Sequence, residues 1–172
     1  MLDLTPQWSS TFTRNILKAG DRMEKLFNPE FSVERAKVVT PELVAKIITR
    51  KRVTLVTGGK LLEDELLADL VLEIAKKAER VIATGASSKP LIERGIKCNV
   101  MTLHHLTQKI EKGTYVFVGF EPYLLSRALS TLKHFSKAVT ISIDFYYQPN
   151  ARLSFPNCDN YGMLETLISF MR

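Results

Sequence analysis

The stretch RVTLVTGGKLLEDELLADLVLEIAKKAERVIATGASS, residues 52–88, decides the fold of this chain. It starts with an apolar strand (53–56), passes a glycine turn into a helix with one apolar face (64–78), and ends in a second apolar strand (80–83) followed by small residues. Two strands that run in one direction and are joined by a helix form a βαβ unit of a parallel sheet. The loops at the carboxyl ends of such strands line the ligand crevice. The stretch therefore predicts an α/β fold with one candidate ligand loop after each strand.

The alternation of strands and helices continues on both sides of this unit. Helices are predicted over 41–50, 89–94, 106–111 and 161–171 and from Pro122 onwards, and strands over 98–103, 115–118 and 138–143. This order predicts a three-layer, doubly wound α/β domain whose mostly parallel sheet has about five to six strands. The last strand alternates polar and apolar residues, which predicts one less buried face and a position near the sheet edge.

The chain of 172 residues suits one domain with a sizeable core. We assign residues 36–172 to a single Rossmann-like α/β domain and residues 1–35 to an N-terminal helical arm. An apolar stripe at helical spacing marks this arm: Phe12, Ile16, Ala19, Met23 and Leu26. The stripe packs either on its own domain or on another subunit, so self-association of the isolated chain stays open.

The composition excludes several classes of protein. The formal charge is +6, but the basic residues are scattered among acids, and the densest group, 50–52, sits at a helix end where cations complement the helix dipole. We therefore expect no nucleic-acid partner. No stretch approaches the roughly 20 apolar residues of a membrane span, and the N-terminus does not have the pattern of a signal peptide. The expected location is the cytoplasm, without membrane association.

Metal cofactors are also unexpected in this chain. An iron–sulfur cluster usually takes four thiolates, whereas the sequence has only Cys98 and Cys158. The three histidines include the adjacent pair His104 and His105, which point about 100° apart on a helix and lack metal-ligand spacing. We predict neither a metal site nor a cluster, and the two lone cysteines fit a reducing compartment.

The first candidate loop, Gly58-Gly59-Lys60, is a poor place for a phosphate. It lacks the G-x-G-x-x-G spacing of dinucleotide-binding turns and the G-x-x-x-x-G-K-[ST] pattern of P-loops. The acids at 63–65 also occupy the start of the next helix, where they would repel a pyrophosphate. A tight turn explains the two glycines better than a ligand does.

The second loop, Thr84-Gly85-Ala86-Ser87-Ser88, is the better candidate for an anion. Its small side chains permit close approach to the backbone, its three hydroxyls can donate hydrogen bonds, and Lys89 follows with a positive charge. Small residues are equally common in turns that only connect a strand to a helix, so the two interpretations stand level.

Other strand ends supply further candidates for the same crevice. Gly119 ends one strand and is followed by Phe120, which either stacks on a flat ring or joins the core, and Asp144 ends another strand. Tyr146 and Tyr147, together with Phe155, mark either an interface or the closure of the core.

No catalytic set is predicted. Ser87, Ser88, His104 and Asp144 are the residue types of a nucleophilic triad, but no nucleophile elbow surrounds either serine. Chance composition explains their presence better.

The order of these segments resembles the epsilon subunit of the archaeal acetyl-CoA decarbonylase/synthase complex, the small subunit of its carbon monoxide dehydrogenase component. The resemblance covers roughly residues 36 to 172. It is carried by TPELVAKII (40–48), the helix around 66–78, ATGASS (83–88) and NARLSF (150–155).

This resemblance implies the DHS-like NAD/FAD-binding domain shared by deoxyhypusine synthase and the sirtuins. It implies a noncatalytic accessory subunit that stabilises the large alpha subunit of carbon monoxide dehydrogenase, in an assembly of two alpha and two epsilon subunits, and assists electron transfer to FAD. The alpha subunit carries the nickel–iron–sulfur centre in that family. The alternatives are a stand-alone FAD- or NAD-binding oxidoreductase and a nucleic-acid-binding module.

Overall fold

The structure is a computed structural model that describes residues 35–110, 112–158 and 161–172. The predicted helical arm, residues 1–35, lies outside these ranges except for Arg35, and it stays a prediction. Within the ranges just given, no helix combines the length and the apolar character that crossing a membrane requires.

Strands and helices alternate along the described chain, as the sequence predicted. The strands are β1 (Lys37–Val38), β2 (Val53–Thr57), β3 (Arg80–Thr84), β4 (Asn99–Met101), β5 (Lys112–Val118), β6 (Lys137–Ser142) and β7 (Leu153–Ser154). The helices are α1 (Pro41–Arg50), α2 (Glu65–Ala75), α3 (Ser88–Glu93), α4 (Leu103–Lys109), α5 (Pro122–Phe135) and α6 (Gly162–Met171). Short 3-10 turns, Gly59–Leu62 and Gly85–Ser87, follow β2 and β3.

All seven strands form one parallel sheet in the order β1-β7-β6-β5-β2-β3-β4. This confirms the predicted doubly wound α/β class. The sheet is wider than the predicted five to six strands because β1 and β7 also join it. Each of them has only two residues, too few to show the period-two pattern by which strands are recognised.

The strand order places a topological switch point between β2 and β5. The chain moves outwards from β2 through β3 to β4 and then returns to the other side of β2 as β5. The connections after β2 and β5 therefore lead in opposite directions from neighbouring strands. In open α/β sheets the ligand crevice opens at this point.

Side-chain caps fix where the first two helices begin. The Thr40 hydroxyl accepts a 3.4 Å hydrogen bond from the Leu43 N–H, and Pro41 stands in the first turn of α1. At α2, Asp64 Oδ1 accepts a 2.9 Å hydrogen bond from the Leu67 N–H. Both starts lie where the sequence signals predicted them.

Helices cover both faces of the sheet, which confirms the three layers. On one face α1, α2 and α6 bury their apolar sides against strand residues such as Leu55 and Val116. On the other face α4 and α5 pack on alternate residues of the same strands, among them Val56 and Phe117. The central strand β2 is buried throughout because both of its faces are covered.

The prediction that β6 lies near the sheet edge is wrong. This strand is interior: it pairs with β5 along its whole length and with β7 through Ile141 and Ser142. Its first half has no paired neighbour on the β7 side, and Val139 there is 36% exposed. The alternating pattern of β6 therefore arises because its neighbour β7 is too short to cover it, and not because β6 lies at the edge.

Candidate functional site

The two predicted ligand loops lie side by side at the carboxyl edge of the sheet. The Thr84 hydroxyl donates a 2.8 Å hydrogen bond to the Thr57 carbonyl at the end of β2. The Ser87 hydroxyl reaches the same carbonyl at 3.1 Å and lies 3.2 Å from the Thr57 hydroxyl. Three hydroxyl-bearing side chains thus join the end of β2 to the loop after β3.

The second loop divides into a buried and an exposed part. Thr84 and Ser87 are buried, and the Ser87 hydroxyl also donates to the Thr84 carbonyl at 2.9 Å, so both hydroxyls serve the loop itself. Gly85 and Ala86 are exposed, and Gly85 has a positive φ of 59° with open space around it. The groups free to meet a ligand are the Gly85–Ala86 backbone and, beside it, Ser88, which is partly exposed.

In the first loop, Gly58 is required for packing. Its N–H donates a 2.9 Å hydrogen bond to the Val118 carbonyl of β5. A Cβ at Gly58 would lie 2.3 Å from the Gly119 carbonyl oxygen, whereas a Cβ at Gly59 would meet nothing within 4 Å. Gly58 therefore lets the connections after β2 and β5 approach each other closely.

Gly119 is required on the opposite side of the same contact. Its φ is +78°, and a Cβ there would lie 2.2 Å from Cδ1 of the buried Leu61. Its carbonyl accepts a 2.9 Å hydrogen bond from the Lys60 N–H. At the switch point, where an open crevice is usual for this class, the two connections are packed together.

The acids after the first loop occupy the start of α2, as the sequence indicated. While Asp64 Oδ1 caps the helix, Asp64 Oδ2 accepts a 2.5 Å hydrogen bond from the Tyr161 hydroxyl. This hydrogen bond is the main cause of a raised pKa of Tyr161, and partial burial of the hydroxyl is the second cause. The positive end of the α2 dipole is therefore already satisfied by a carboxylate.

Asp144 is buried at the end of β6 and holds the connection after β5. Its Oδ1 accepts hydrogen bonds from the N–H groups of Gly119, at 2.6 Å, and Phe120, at 3.4 Å. Within the described residues Asp144 Oδ2 has no hydrogen-bond partner. Burial raises the pKa of Asp144 to about 7, against the lowering effect of these two hydrogen bonds and of the Lys60 charge.

The sequence predicted that Asp144 lines the crevice. It did not predict that Asp144 would be buried and would connect β6 to the end of β5 through a hydrogen bond. The sequence signal for this contact was that Asp144 follows one predicted strand and Gly119 follows another. In a parallel sheet both strands end at the same edge, so the two residues can meet. Such a signal is weak, because it depends on a strand order that the sequence does not show.

Among the aromatic candidates, Tyr146 is exposed and its ring lies near Lys60. Lys60 Nζ lies 3.7 Å from Glu121 Oε1 and 5.7 Å from the centroid of the Tyr146 ring, and Tyr146 is 54% exposed. The other aromatic candidates face inwards. Phe120 and Phe155 belong to the core, and Tyr147 is partly buried with its hydroxyl donating to the Ala36 carbonyl at 2.7 Å.

Three of the four residues of the triad types, Ser87, His104 and Asp144, are engaged in other contacts. His104 is exposed on α4, where its Nε2 lies 3.1 Å from Nε2 of Gln108. Ser87 is bonded to Thr57, and Asp144 to Gly119. Residues 35–110, 112–158 and 161–172 contain no group of three or more His, Cys, Asp or Glu side chains that could hold a metal ion.

The fold and this edge define a doubly wound, all-parallel α/β protein with two adjacent loops at the carboxyl edge of its sheet. Comparison with known families is more specific. The family model for the CO dehydrogenase beta subunit/acetyl-CoA synthase epsilon subunit matches residues 29–169. The chain belongs to this family.

Named relatives agree with this assignment. The chain is 46% identical over 153 residues to the acetyl-CoA decarbonylase/synthase complex subunit epsilon 1 of Archaeoglobus fulgidus, an alignment that covers 77% of this chain and 83% of the relative. It is 33% identical over 162 residues to the corresponding epsilon 1 subunit of Methanosarcina barkeri, covering 84% of this chain and 94% of the relative. The resemblance inferred from the sequence motifs is confirmed.

Proposed function

We propose that this chain is the noncatalytic accessory subunit of the carbon monoxide dehydrogenase component of an acetyl-CoA decarbonylase/synthase complex, where it stabilises the large alpha subunit. The observation that carries the proposal is the 46% identity to a protein named as the epsilon subunit of that complex. We place the protein in the cytoplasm, since two cysteines, Cys98 and Cys158, are too few for the disulfide framework of a small secreted domain.

The filled switch point supports an accessory role. Gly58 and Gly119 bring two connections together, and Leu61 and Phe120 fill the space between them as buried side chains. An enzyme of this fold class holds its ligand in a crevice at this point. Here the buried side chains of Leu61 and Phe120 occupy that place.

Exposed apolar residues near the packed edge support a role in assembly. Leu62 and Leu66 follow β2, Tyr123 and Leu124 begin α5, and Tyr146 follows β6, and each of them is at least 40% exposed. Because β2, β6 and β5, the strand before α5, all end at one edge of the sheet, these side chains belong to one end of the domain. Exposed aromatic and leucine side chains are typical of protein interfaces.

We further propose that FAD lies across the second loop and that this subunit assists electron transfer to it. The exposed backbone of Gly85 and Ala86 can donate N–H groups to the diphosphate, the Ser88 hydroxyl can add a hydrogen bond, and Lys89 is an exposed cation beside them. Thr84 and Ser87 shape the loop from beneath. When bound, the flavin would supply the electron-accepting ring.

Association with the alpha subunit is the direct test of the proposed role. A tagged form of the full chain is mixed with the alpha subunit and analysed by affinity capture and by mass in solution. The expected product contains two copies of each subunit and unfolds at a higher temperature than the alpha subunit alone. Failure of the two chains to associate would falsify the proposed function.

A flavin titration tests the cofactor separately, on the isolated chain and on the assembly. Ala86→Asp adds a carboxylate to the exposed part of the second loop, so it should lower the affinity for FAD at least about tenfold through repulsion of the diphosphate. Gln108→Glu, an equal change in charge on the exposed face of α4, is the matched control. Equal affinities for the two variants would reject this location for the diphosphate.

The same preparations separate the accessory role from the alternative of a stand-alone oxidoreductase. That alternative requires FAD or NAD to bind to the isolated chain and to be reduced or oxidised in repeated turnover without the alpha subunit. The accessory role predicts no such turnover by the isolated chain.

A further inference from the structure

The amino edge of the sheet, opposite the candidate loops, carries a row of cations. Four neighbouring strands lie in the order β6-β5-β2-β3. Lys137 begins β6, Lys112 begins β5, Arg52 immediately precedes β2, and Arg80 begins β3. All four residues are exposed. We call these four side chains the amino-edge row.

Strand register places Lys112 directly beside Lys137 and places Arg80 two residues further along the sheet than Arg52. Lys112 and Lys137 are paired in the ladder between β5 and β6, and Arg80 is paired with Thr54 of β2. Neighbouring strands are about 4.8 Å apart, so the three spacings across four strands span about 14 Å. Charges scattered along the sequence thus come together because each strand starts at the same edge.

A cavity opens in the middle of the row. It has a volume of about 380 Å³, and Arg52, Arg80 and Lys112 lie on its lining together with the hydroxyl-bearing residues Thr54, Thr114 and Tyr115. Glu79 also lines the cavity and lies 3.7 Å from Arg52, in a pair whose side chains are 90% and 45% exposed. Glu79 brings one negative charge beside the four positive charges of the row, so the row remains net positive.

Most donors around the cavity have no partner in the described part of the chain. Arg80 and Lys112 form no ion pair or hydrogen bond through their side chains there, and the hydroxyls of Thr54 and Thr114 form no hydrogen bond there. Guanidinium, ammonium and hydroxyl groups match the oxygens of a carboxylate or a phosphate.

The charge around the cavity continues along the same edge. Arg50 ends α1 and Lys51 follows it, and Lys77 follows α2 together with Lys76, which is paired with Glu73. The exposed cations therefore cover a longer surface than a single small anion could contact. A chain of five extended residues spans about 16 Å, close to the length of the row. An acidic polypeptide segment therefore matches the row better than a small phosphorylated molecule, which would reach only the cavity.

The aromatic contribution to the cavity argues against a nucleic acid as the ligand. Tyr115 is partly buried, and a Cβ at Gly113 would lie 3.2 Å from its ring, so backbone packs against that ring. Single-stranded nucleic acids usually bind where basic residues alternate with exposed stacking platforms.

We propose that the amino-edge row and its cavity bind a short segment of clustered Asp and Glu residues on a partner polypeptide. The inference rests on the proposed membership of a multisubunit complex for the existence of such a partner. The carboxylates bind the row through charge-assisted hydrogen bonds, with the cavity taking the central one or two carboxylates. This contact lies at the opposite end of the domain from the second loop.

The test uses the full-length chain and a fluorescently labelled octaglutamate peptide, with binding measured by anisotropy. Arg80→Gln combined with Lys112→Gln should weaken binding about fivefold or more, because two cation contacts are lost. Lys46→Gln combined with Arg127→Gln removes one lysine and one arginine that are exposed on α1 and α5, and it should change the affinity less than about twofold. Thermal melting checks that both double variants remain folded.

Several results would overturn the proposal. They are an absence of peptide binding at about 50 mM NaCl, equal losses in the two double variants, and binding that persists unchanged at about 300 mM NaCl. Displacement of the peptide by micromolar pyrophosphate would instead assign the cavity to a small anion, and tighter, row-dependent binding of single-stranded DNA would assign it to a nucleic acid. The alpha-subunit association experiment is independent of this peptide test, so each proposal can fail without the other.

Discussion

Asp144 ties the end of β6 to the end of β5: its Oδ1 accepts a 2.6 Å hydrogen bond from the N–H of Gly119. The contact holds Gly119 beside Gly58 and so closes the switch point between β5 and β2. Its cost is a buried carboxyl group whose second oxygen has no hydrogen-bond partner within the described residues. The stability of this edge should therefore depend on pH.

The free energy of unfolding should fall as the pH rises from about 4 to 7, because Asp144 has a pKa of about 7 in the folded chain and its usual, lower pKa when unfolded. In that interval the folded state binds more protons, so deprotonation favours unfolding. At about 1.4 kcal/mol per pKa unit the effect is on the order of a few kcal/mol. Urea unfolding at several pH values measures it.

Asp144→Asn separates this contribution from other titrating groups. The variant keeps an oxygen that can accept from Gly119 but loses the charge, so its stability should vary less between pH 4 and 7 than that of the unmodified chain. Asp69→Asn, which changes an exposed acid hydrogen-bonded to Arg94, is the matched control. The same pH dependence in Asp144→Asn and the unmodified chain would contradict the assignment.

Gly58→Ala should destabilise the fold by about 1–3 kcal/mol, since the new methyl group would overlap the Gly119 carbonyl oxygen at 2.3 Å. Gly59→Ala is the control in the adjacent position, where a Cβ meets nothing within 4 Å. Chemical denaturation of both variants measures the difference. A comparable loss in both would show that backbone freedom, and not close packing, requires glycine in this turn.

Ser87→Ala and Ser88→Ala should separate the structural part of the second loop from its ligand-binding part. Ser87 is buried and bonded to the carbonyls of Thr57 and Thr84, so its replacement should lower stability by about 1 kcal/mol. Ser88→Ala should leave the melting temperature nearly unchanged and weaken FAD binding. The reverse pattern, with stability lost at Ser88 and not at Ser87, is incompatible with this division of the loop.

Asp64→Ala should cost about 1–2 kcal/mol of stability, because it removes the cap of α2. The exposed Glu63→Ala, one residue earlier, should cost much less. The substitution of Asp64 should also lower the pKa of Tyr161 towards its usual value, since the hydrogen bond to Asp64 is the main cause of its elevation. NMR titration of the tyrosine rings measures that change, and an unaltered Tyr161 pKa would refute the contact.

The helices and most strands could be predicted because their signals lie within short windows of sequence. Thr40 followed by Pro41 marks the start of α1, and the apolar run at 53–57 marks a strand covered on both faces. The strands β1 and β7 were not predicted, because a strand of two residues is too short to show an alternating pattern of polar and apolar residues. The candidate site was located only as a set of strand ends, since the sequence does not show which ends are neighbours.

By itself, then, the sequence determined the parallel α/β class, the two small-residue loops of the opening βαβ unit and, through its motifs, the family. The tertiary structure alone decided that Gly58 contacts Gly119, that Asp144 is buried and accepts from Gly119, and that the buried Ser87 hydrogen-bonds within its loop. It also decided that basic residues scattered along the chain form a row at the amino edge. The physical reason is that hydrophobic periodicity and helix capping act within about 15 residues, whereas strand order brings together residues 25 or more positions apart.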